Sequence, residues 1–269
     1  MQQYKFNKSK HVHLLDDKPL TGTSSVEDVL NKPLTWWASG LAVQKLGVPD
    51  AKVFTKIKKG TETEEELVAL QDSVTKKLGE LKDYTPEEYL ELLEDAYRAH
   101  STTLKDKAKD GTDLHAELED YVKGQMGLKP KRKYDEKIQP FIDWAKENVD
   151  EFLWSEAHCF DEELWVGGIC DAGAKLKDGS IALIDFKSAK EAYANHFIQC
   201  AGYVIQIEKN GLWDSKGKQN KKVDKIDKLI VFPFGAEKVE PKIRLDLDSY
   251  KQGFRSCVQL YRLLGLEKY

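Results

Sequence analysis

Cysteine is scarce in this chain. Its 269 residues hold four, Cys159, Cys170, Cys200 and Cys257, and no two form a Cys-x-x-Cys pair, which argues against a zinc ribbon. Cysteines so widely spaced read as reduced and packed, in an intracellular compartment. No apolar run approaches the roughly 20 residues that a membrane span requires. The first residues, Met1 to Lys8, carry no apolar signal core, so secretion is not supported. Both absences point to a cytoplasmic protein without a membrane partner. There is no internal repeat and no low-complexity tract. Charge of one sign is not in excess either: 42 Lys and Arg stand against 46 Asp and Glu, for a net charge of −4. The overall balance therefore does not mark a nucleic-acid binder.

What is present is a chain able to bury a sizeable core, 41% hydrophobic and 33% charged, as one large domain or two small ones. The charge is unevenly spread. Thr61 to Asp95 holds twelve acids and three lysines, a balance of −9. Lys129 to Lys137 has five bases against two acids, and Ser215 to Lys228 six lysines against two aspartates. Alone, each basic run reads as a solvated loop. Together, Lys129, Lys131, Arg132 and Lys133 with Lys216, Lys218, Lys221 and Lys222 are candidates for a phosphate-binding surface.

The chain is organised around Trp165 to Tyr203. Apolar and β-branched residues flank Lys177-Asp178-Gly179, a hairpin signal. The first strand is predicted to end near Lys175 and the second to run from Ser180 to Lys187. Period-two alternation puts Asp185 and Lys187 on one face, with Asp171 brought near them if the register allows. A carboxylate leaving water needs a partner. An ordinary salt bridge to Lys187 meets that need, and so does a hard divalent cation such as Mg²⁺ or Mn²⁺.

A larger pattern surrounds these residues: Gly111-Thr-Asp-Leu-His115, then Gly168-Ile-Cys-Asp171, Asp185-Phe-Lys187 and Gln199-x-x-x-Tyr203. In that order the four motifs resemble the PD-(D/E)XK nuclease superfamily, and within it the RecB-like and phage exonuclease branch. The resemblance is firm from Gly111 to Tyr203. It is looser upstream, where Lys32-Pro33 and Trp37-Ala38 are similar to the N-terminal region of phage nucleases in this group.

The resemblance implies an α/β (α+β) fold, with a central mixed sheet flanked by helices and extra helices at the N-terminus. It implies a metal-dependent DNA nuclease, more an exonuclease at single- or double-stranded ends than a sequence-specific enzyme, in phage or bacterial recombination or repair. A recombination or single-strand-binding protein would then be a natural partner. His115, Asp171, Asp185 and the Phe186 backbone carbonyl would hold Mg²⁺ or Mn²⁺. Lys187 would position or deprotonate water and stabilise charge. Gln199 and Tyr203 would bind the strand or orient Lys187, with Glu119 orienting His115. Glu156 matches an acidic position common before the hairpin, and equally reads as a surface acid. Some relatives carry an iron–sulfur cluster with three cysteines near the C-terminus. Only Cys257 lies there, so none is expected. Two other readings stay open: a nucleic-acid-binding protein without catalysis, and an interaction protein whose acidic helices mimic DNA.

Further elements are legible from caps and spacing. Met1 to Lys18 predicts a short strand or an extended arm, and Thr21 to Ser25 caps a helix through Asn31. Another helix spans Leu34 to Leu46. Its Trp36 and Trp37 read as core residues or as base-stacking rings. Thr63-x-x-Glu66 is a capping box for a helix to Leu81, and Thr85-Pro86 starts another to Ser101. A helix from Thr112 to Lys123 carries His115, and one with Pro140 in its first turn ends at Asn148. Strands are expected at Phe152–His158, Leu229–Phe234 and Lys242–Leu247. Helices are expected at Ala189–Ile207 and from Asp248 onward. This grouping makes residues 1–105 an N-terminal helical elaboration and 106–269 the catalytic core.

Overall fold

The computed structural model describes residues 3–30, 35–48, 56–57 and 59–267, with the side chains of 35–37 and 104–110 outside that description. The expectations for Lys32-Pro33 and for the rings of Trp36 and Trp37 therefore lie outside the described residues. The chain divides into two compact units, Met1–Asn31 with Asp110–Tyr269, and Lys32–Lys109. The first thirty-one residues thus group with the sheet, not with the helices that follow them.

The first unit is mixed α/β, a central mixed sheet flanked by helices. A small antiparallel sheet comes first: β1 (Tyr4–Asn7), β2 (Val12–Leu15) and β3 (Lys18–Pro19). The short β4 (Thr21–Gly22) then runs parallel to β6 (Val166–Leu176), with Thr21 opposite Val166 and Gly22 opposite Gly167. The large sheet is built on β5 (Val149–Asp161), β6 (Val166–Leu176) and β7 (Ile181–Lys187), joined antiparallel. Two two- to three-residue strands, β8 (Leu212–Trp213) and β9 (Gln219–Lys221), extend its β5 edge inside what reads in sequence as a loop. On the other edge β10 (Lys228–Pro233) pairs parallel with β7, and β11 (Lys242–Arg244) antiparallel with β10.

The hairpin turns at Asp178-Gly179, where Gly179 takes φ +85°, a conformation that favours glycine. Asp178 Oδ1 accepts from the Ser180 amide at 3.0 Å, an Asx turn. Along β7 the side chains alternate. Ala182, Ile184 and Phe186 face a core made with Leu118, Tyr121, Val122, Phe141 and Ala145. Leu183 faces the opposite core, with Phe197, Cys200, Ala201, Val204 and Ile207. All four cysteines are free and buried.

The helices of this unit are α1 (Thr23–Val26), followed by a 3₁₀ turn at Glu27–Leu30, then the later part of α4 (Pro86–Gln125), α5 (Gln139–Asn148), α6 (Ala194–Asn210) and α7 (Leu247–Leu263). The second unit holds α2 (Thr35–Lys45), α3 (Glu64–Leu81) and the first part of α4 (Pro86–Gln125). The predicted capping box at Thr63 forms, and the predicted cap at Thr85 proves to be a box as well. Glu66 N donates to Thr63 Oγ1 at 3.2 Å and Thr63 N to Glu66 Oε2 at 3.1 Å. Thr85 and Glu88 repeat the exchange.

Several boundaries differ from expectation, each for a local reason. The helices predicted to Ser101 and from Thr112 are one helix, because the residues between lack proline and a lone glycine costs only about 1 kcal/mol. The helix predicted from Ala189 starts at Ala194, because the Ala189 carbonyl is taken by the Gly235 amide at 3.0 Å. The helix predicted from Asp248 starts at Leu247, capped by Asp246, whose Oδ1 accepts from the Ser249 amide at 3.3 Å. The helix predicted through Asn31 shortens to α1 and a 3₁₀ turn. No helix among the described residues is long and apolar enough to cross a membrane.

Candidate functional site

The site forms where β5 and β6 lose their regular pairing. Ser155 pairs with Ala172 and Ala157 with Cys170, and between them stand Glu156 and Asp171. Glu156 has φ +49°, a left-handed backbone that an L side chain holds at a cost of roughly 1–3 kcal/mol. Alternation resets there on both strands. Trp154 and Ala157 reach the same core although their separation is odd. Cys170 and Ala172 reach opposite cores although theirs is even.

This irregularity, with helix α4 across it, gathers three ligand types. One donor atom each from His115, Glu156 and Asp171 lie within 4.8 Å of one another. His115 Nδ1 is 3.7 Å from Asp171 Oδ2, and its ring stands edge-on to Phe186. The Phe186 amide donates to Asp171 Oδ2 at 2.8 Å, so a side chain completes the ladder where β6 leaves β7. Burial, and then the Asp171 and Glu119 charges, raise the Glu156 carboxyl to about 7. Glu119 does not orient His115 by a hydrogen bond among the described residues. It is ion-paired to Lys123 one turn along the helix.

Beside this group lies a second network. Lys187 Nζ donates to Asp185 Oδ1 at 3.1 Å and to Gln199 Oε1 at 2.9 Å. Gln199 Nε2 donates in turn to Tyr203 Oη at 2.9 Å. Asp185 is 2% exposed. Its Oδ2 is 2.9 Å from the same ammonium, yet that approach lacks hydrogen-bond geometry and leaves the atom buried without a hydrogen-bonded partner. Burial raises the Asp185 carboxyl above the usual range, with Lys187 pulling the other way. Burial alone would lower the Lys187 pKa, but the Asp185 and Asp171 charges outweigh it and raise the group, which stays an ammonium.

The glycine at 168 is needed by the site. A Cβ there would lie 2.6 Å from the Tyr203 ring and 2.8 Å from Thr23 Oγ1. Thr23 is held by Gln206 Nε2 at 2.8 Å. The segment after β4 thus passes under the site and delivers Glu27, half-buried, whose Oε2 is 3.5 Å from Asn195 Nδ2. Sequence reading gives Glu27, Asn195 and Thr23 no part in the site. The glycine of the Gly168-x-x-Asp171 motif is the one local sign that something packs closely there.

The two basic runs differ. Lys129 is ion-paired to Asp120, and Arg132 reaches Glu117 at 2.9 Å and Asp120 at 3.0 Å. Half of that run's charge is already answered within the chain. Lys131 and Lys133 are exposed. In the second run Lys216, Lys218, Lys221 and Lys222 are all exposed, and Lys222 lies 3.6 Å from Asp224.

The donor set suits a hard divalent cation, since it offers carboxylate oxygens and one imidazole, and Asp185 adds a buried oxygen without a hydrogen-bonded partner. Neither the family models nor the curated proteins contain a match to this chain.

Proposed function

We propose that the chain is a metal-dependent DNA nuclease with a PD-(D/E)XK core, acting at DNA ends in phage or bacterial recombination or repair. The observation that carries this reading is the juxtaposition of His115, Glu156 and Asp171 with the Asp185–Lys187–Gln199 network. His115, Glu156, Asp171 and Asp185 would hold Mg²⁺ or Mn²⁺, with the Phe186 carbonyl as a further ligand. A cation there supplies Lewis-acid charge at the scissile phosphate and activates the attacking water.

The chain's own residues do the rest. Lys187, kept charged, meets the negative charge that develops on the phosphoryl oxygens. Gln199 fixes that ammonium through Oε1, and Tyr203 accepts from Nε2 and so sets which way the amide faces. Glu156 enters as a direct ligand, a closer role than the sequence suggested. Lys216, Lys218, Lys221 and Lys222 would follow the strand by its phosphates, and Lys131 and Lys133 would add to them.

The test is cleavage of end-labelled single- and double-stranded DNA with Mg²⁺, Mn²⁺ or chelator. Cation-dependent loss of end-proximal nucleotides is expected, with RNA as the comparison. Asp171→Asn and Asp185→Asn should each lower the rate by on the order of a hundredfold or more with an unchanged circular dichroism spectrum. Full activity in both variants would return Asp185 and Lys187 to an ordinary salt bridge.

A further inference from the structure

The turn between β8 and β9 is pinned against the N-terminal strand β1. Asp214 Oδ1 accepts from the Lys216 and Lys218 amides, each at 2.9 Å. The Asp214 amide donates to the Lys218 carbonyl at 2.9 Å, so the turn closes on itself around one aspartate. The Ser215 carbonyl then accepts from the Phe6 amide at 3.4 Å. Gly217, at φ +80°, comes so near β1 that a Cβ there would stand 2.0 Å from the Tyr4 carbonyl oxygen. Beyond Phe6 the chain enters the tip of the β1–β2 hairpin, which is fixed in the same manner. Asn7 Oδ1 accepts from the Ser9 hydroxyl at 2.9 Å and from the Lys10 amide at 3.1 Å. Two turns from opposite ends of this unit are thus held side by side by backbone contacts.

Each turn carries two lysines. Lys8, Lys10, Lys216 and Lys218 are all exposed, and none of them is ion-paired among the described residues. Lys5, between the turns, is answered by Asp17 at 3.0 Å. The other carboxylates of these segments are engaged: Asp214 by its own turn, and Asp16 by the Gln3 amide at 2.7 Å. Gathering unanswered ammonium groups on one edge is unfavourable unless an anion meets them. The same arm leads to the cation group. Tyr4 Oη lies 3.1 Å from His158 Nδ1, and the Phe6 and His158 rings are 4.8 Å apart. His158 is two residues along β5 from Glu156. We propose that the tip of the N-terminal hairpin and the Asp214 turn form one surface that holds the phosphates of a nucleic-acid strand beside the cation group. Lys8 and Lys10 share the strand there with Lys216 and Lys218, through contacts that ignore base sequence. No exposed large apolar side chain lies between Gln3 and Leu20 or between Gly211 and Lys222 among the described residues. The surface therefore offers a protein partner no apolar anchor, whereas a phosphate backbone needs only charge.

The proposal rests on the nuclease reading for its choice of ligand, and its test is binding. The full-length Asp185→Asn protein is titrated with labelled oligo-dT and with a duplex of the same length, over a salt series. Lys8→Ala with Lys10→Ala should flatten the slope of log affinity against log salt by roughly 1.4 on the single strand, as two lost contacts would. Lys8→Arg with Lys10→Arg should keep the parent slope, and Lys8→Gln with Lys10→Gln repeats the loss of charge if the alanine pair does not fold. A duplex slope that changes in place of the single-strand slope would assign the surface to double-stranded DNA. With Asp185 restored, the alanine pair should raise KM for oligo-dT and leave kcat unchanged. Slopes unchanged on both DNA forms overturn the proposal even if the unsubstituted protein cuts DNA. Binding of labelled oligo-glutamate that falls while both DNA slopes hold would mark an acidic-peptide site and overturn it equally. A slope that responds in a protein that cuts no nucleic acid overturns the nuclease reading and leaves the surface standing.

Discussion

Glu156 holds two unfavourable features at once: a left-handed backbone and a carboxyl pressed against Asp171. Its pKa of about 7, against an ordinary 4.5, means that the folded state binds more protons than the unfolded state between those values. Stability in the absence of cations should therefore fall as pH rises from 5 to 8. Glu27 adds to the slope with the same sign. Glu156→Gln should raise the melting temperature at pH 8 by a few degrees, for about 1–2 kcal/mol after solvent screening. The same substitution should weaken Mn²⁺ binding in calorimetric titration. Equal melting temperatures at pH 5 and pH 8 would mean that the carboxyl is not pressed in this way. His115→Ala should lose activity through cation occupancy, so that raised Mn²⁺ partly restores cleavage. A histidine that merely packs would lower thermal stability and ignore added metal. At this scale the sequence was informative where contacts follow spacing. Period two places Asp185 beside Lys187, and a helical turn places Gln199 beside Tyr203. Glu27 was not legible, because its contact spans 168 positions and nothing local marks it. The irregular backbone at Glu156 left no trace in residue type.

Capped helix starts and the two hairpin strands were read at nearly their true positions, because both signals are local. The elements that were misread depend on partners. The short strands β8 and β9 exist by pairing with β5 and with each other, and β11, expected from Lys242 to Leu247, ends at Arg244, the last residue it pairs with β10. The long helix α4 absorbs Gly111, which the motif had placed just before a helix start. That difference gives a sharp expectation. A Cβ at Gly111 would meet Ser188 at an ordinary 3.6 Å. Gly111→Ala should thus gain about 0.5–1 kcal/mol of helix propensity and raise the melting temperature. Gly168→Ala should do the reverse. Its Cβ has no room between the Tyr203 ring and Thr23, so overpacking should cost about 1–3 kcal/mol and displace the segment bearing Glu27. Paired thermal melts of the two variants check both signs.

For the whole molecule, the unequal basic runs set the expectation for binding. Using Asp185→Asn so that substrate persists, fluorescence anisotropy over a salt series should show steep weakening with salt. Alanine at Lys216, Lys218, Lys221 and Lys222 should flatten the log–log slope by roughly 0.7 per lost contact on a single strand. An unchanged slope would leave that run a solvated loop. The division of the chain carries a further expectation. Residues 1–31 belong with 110–269, and Tyr4, Leu15, Leu20 and Val26 are buried there almost completely. A protease nick between 59 and 103 should separate the fragments on a denaturing gel and leave them together in native mass spectrometry. The strand pair of Thr21 with Val166 also has a meaning in time. A ribosome adding about 5–20 residues per second makes Thr21 roughly 7–30 seconds before its partner leaves the peptidyl-transferase centre. Tyr203, which closes over Gly168, comes later still. The nascent chain therefore carries these residues unassembled until Tyr203 has been made.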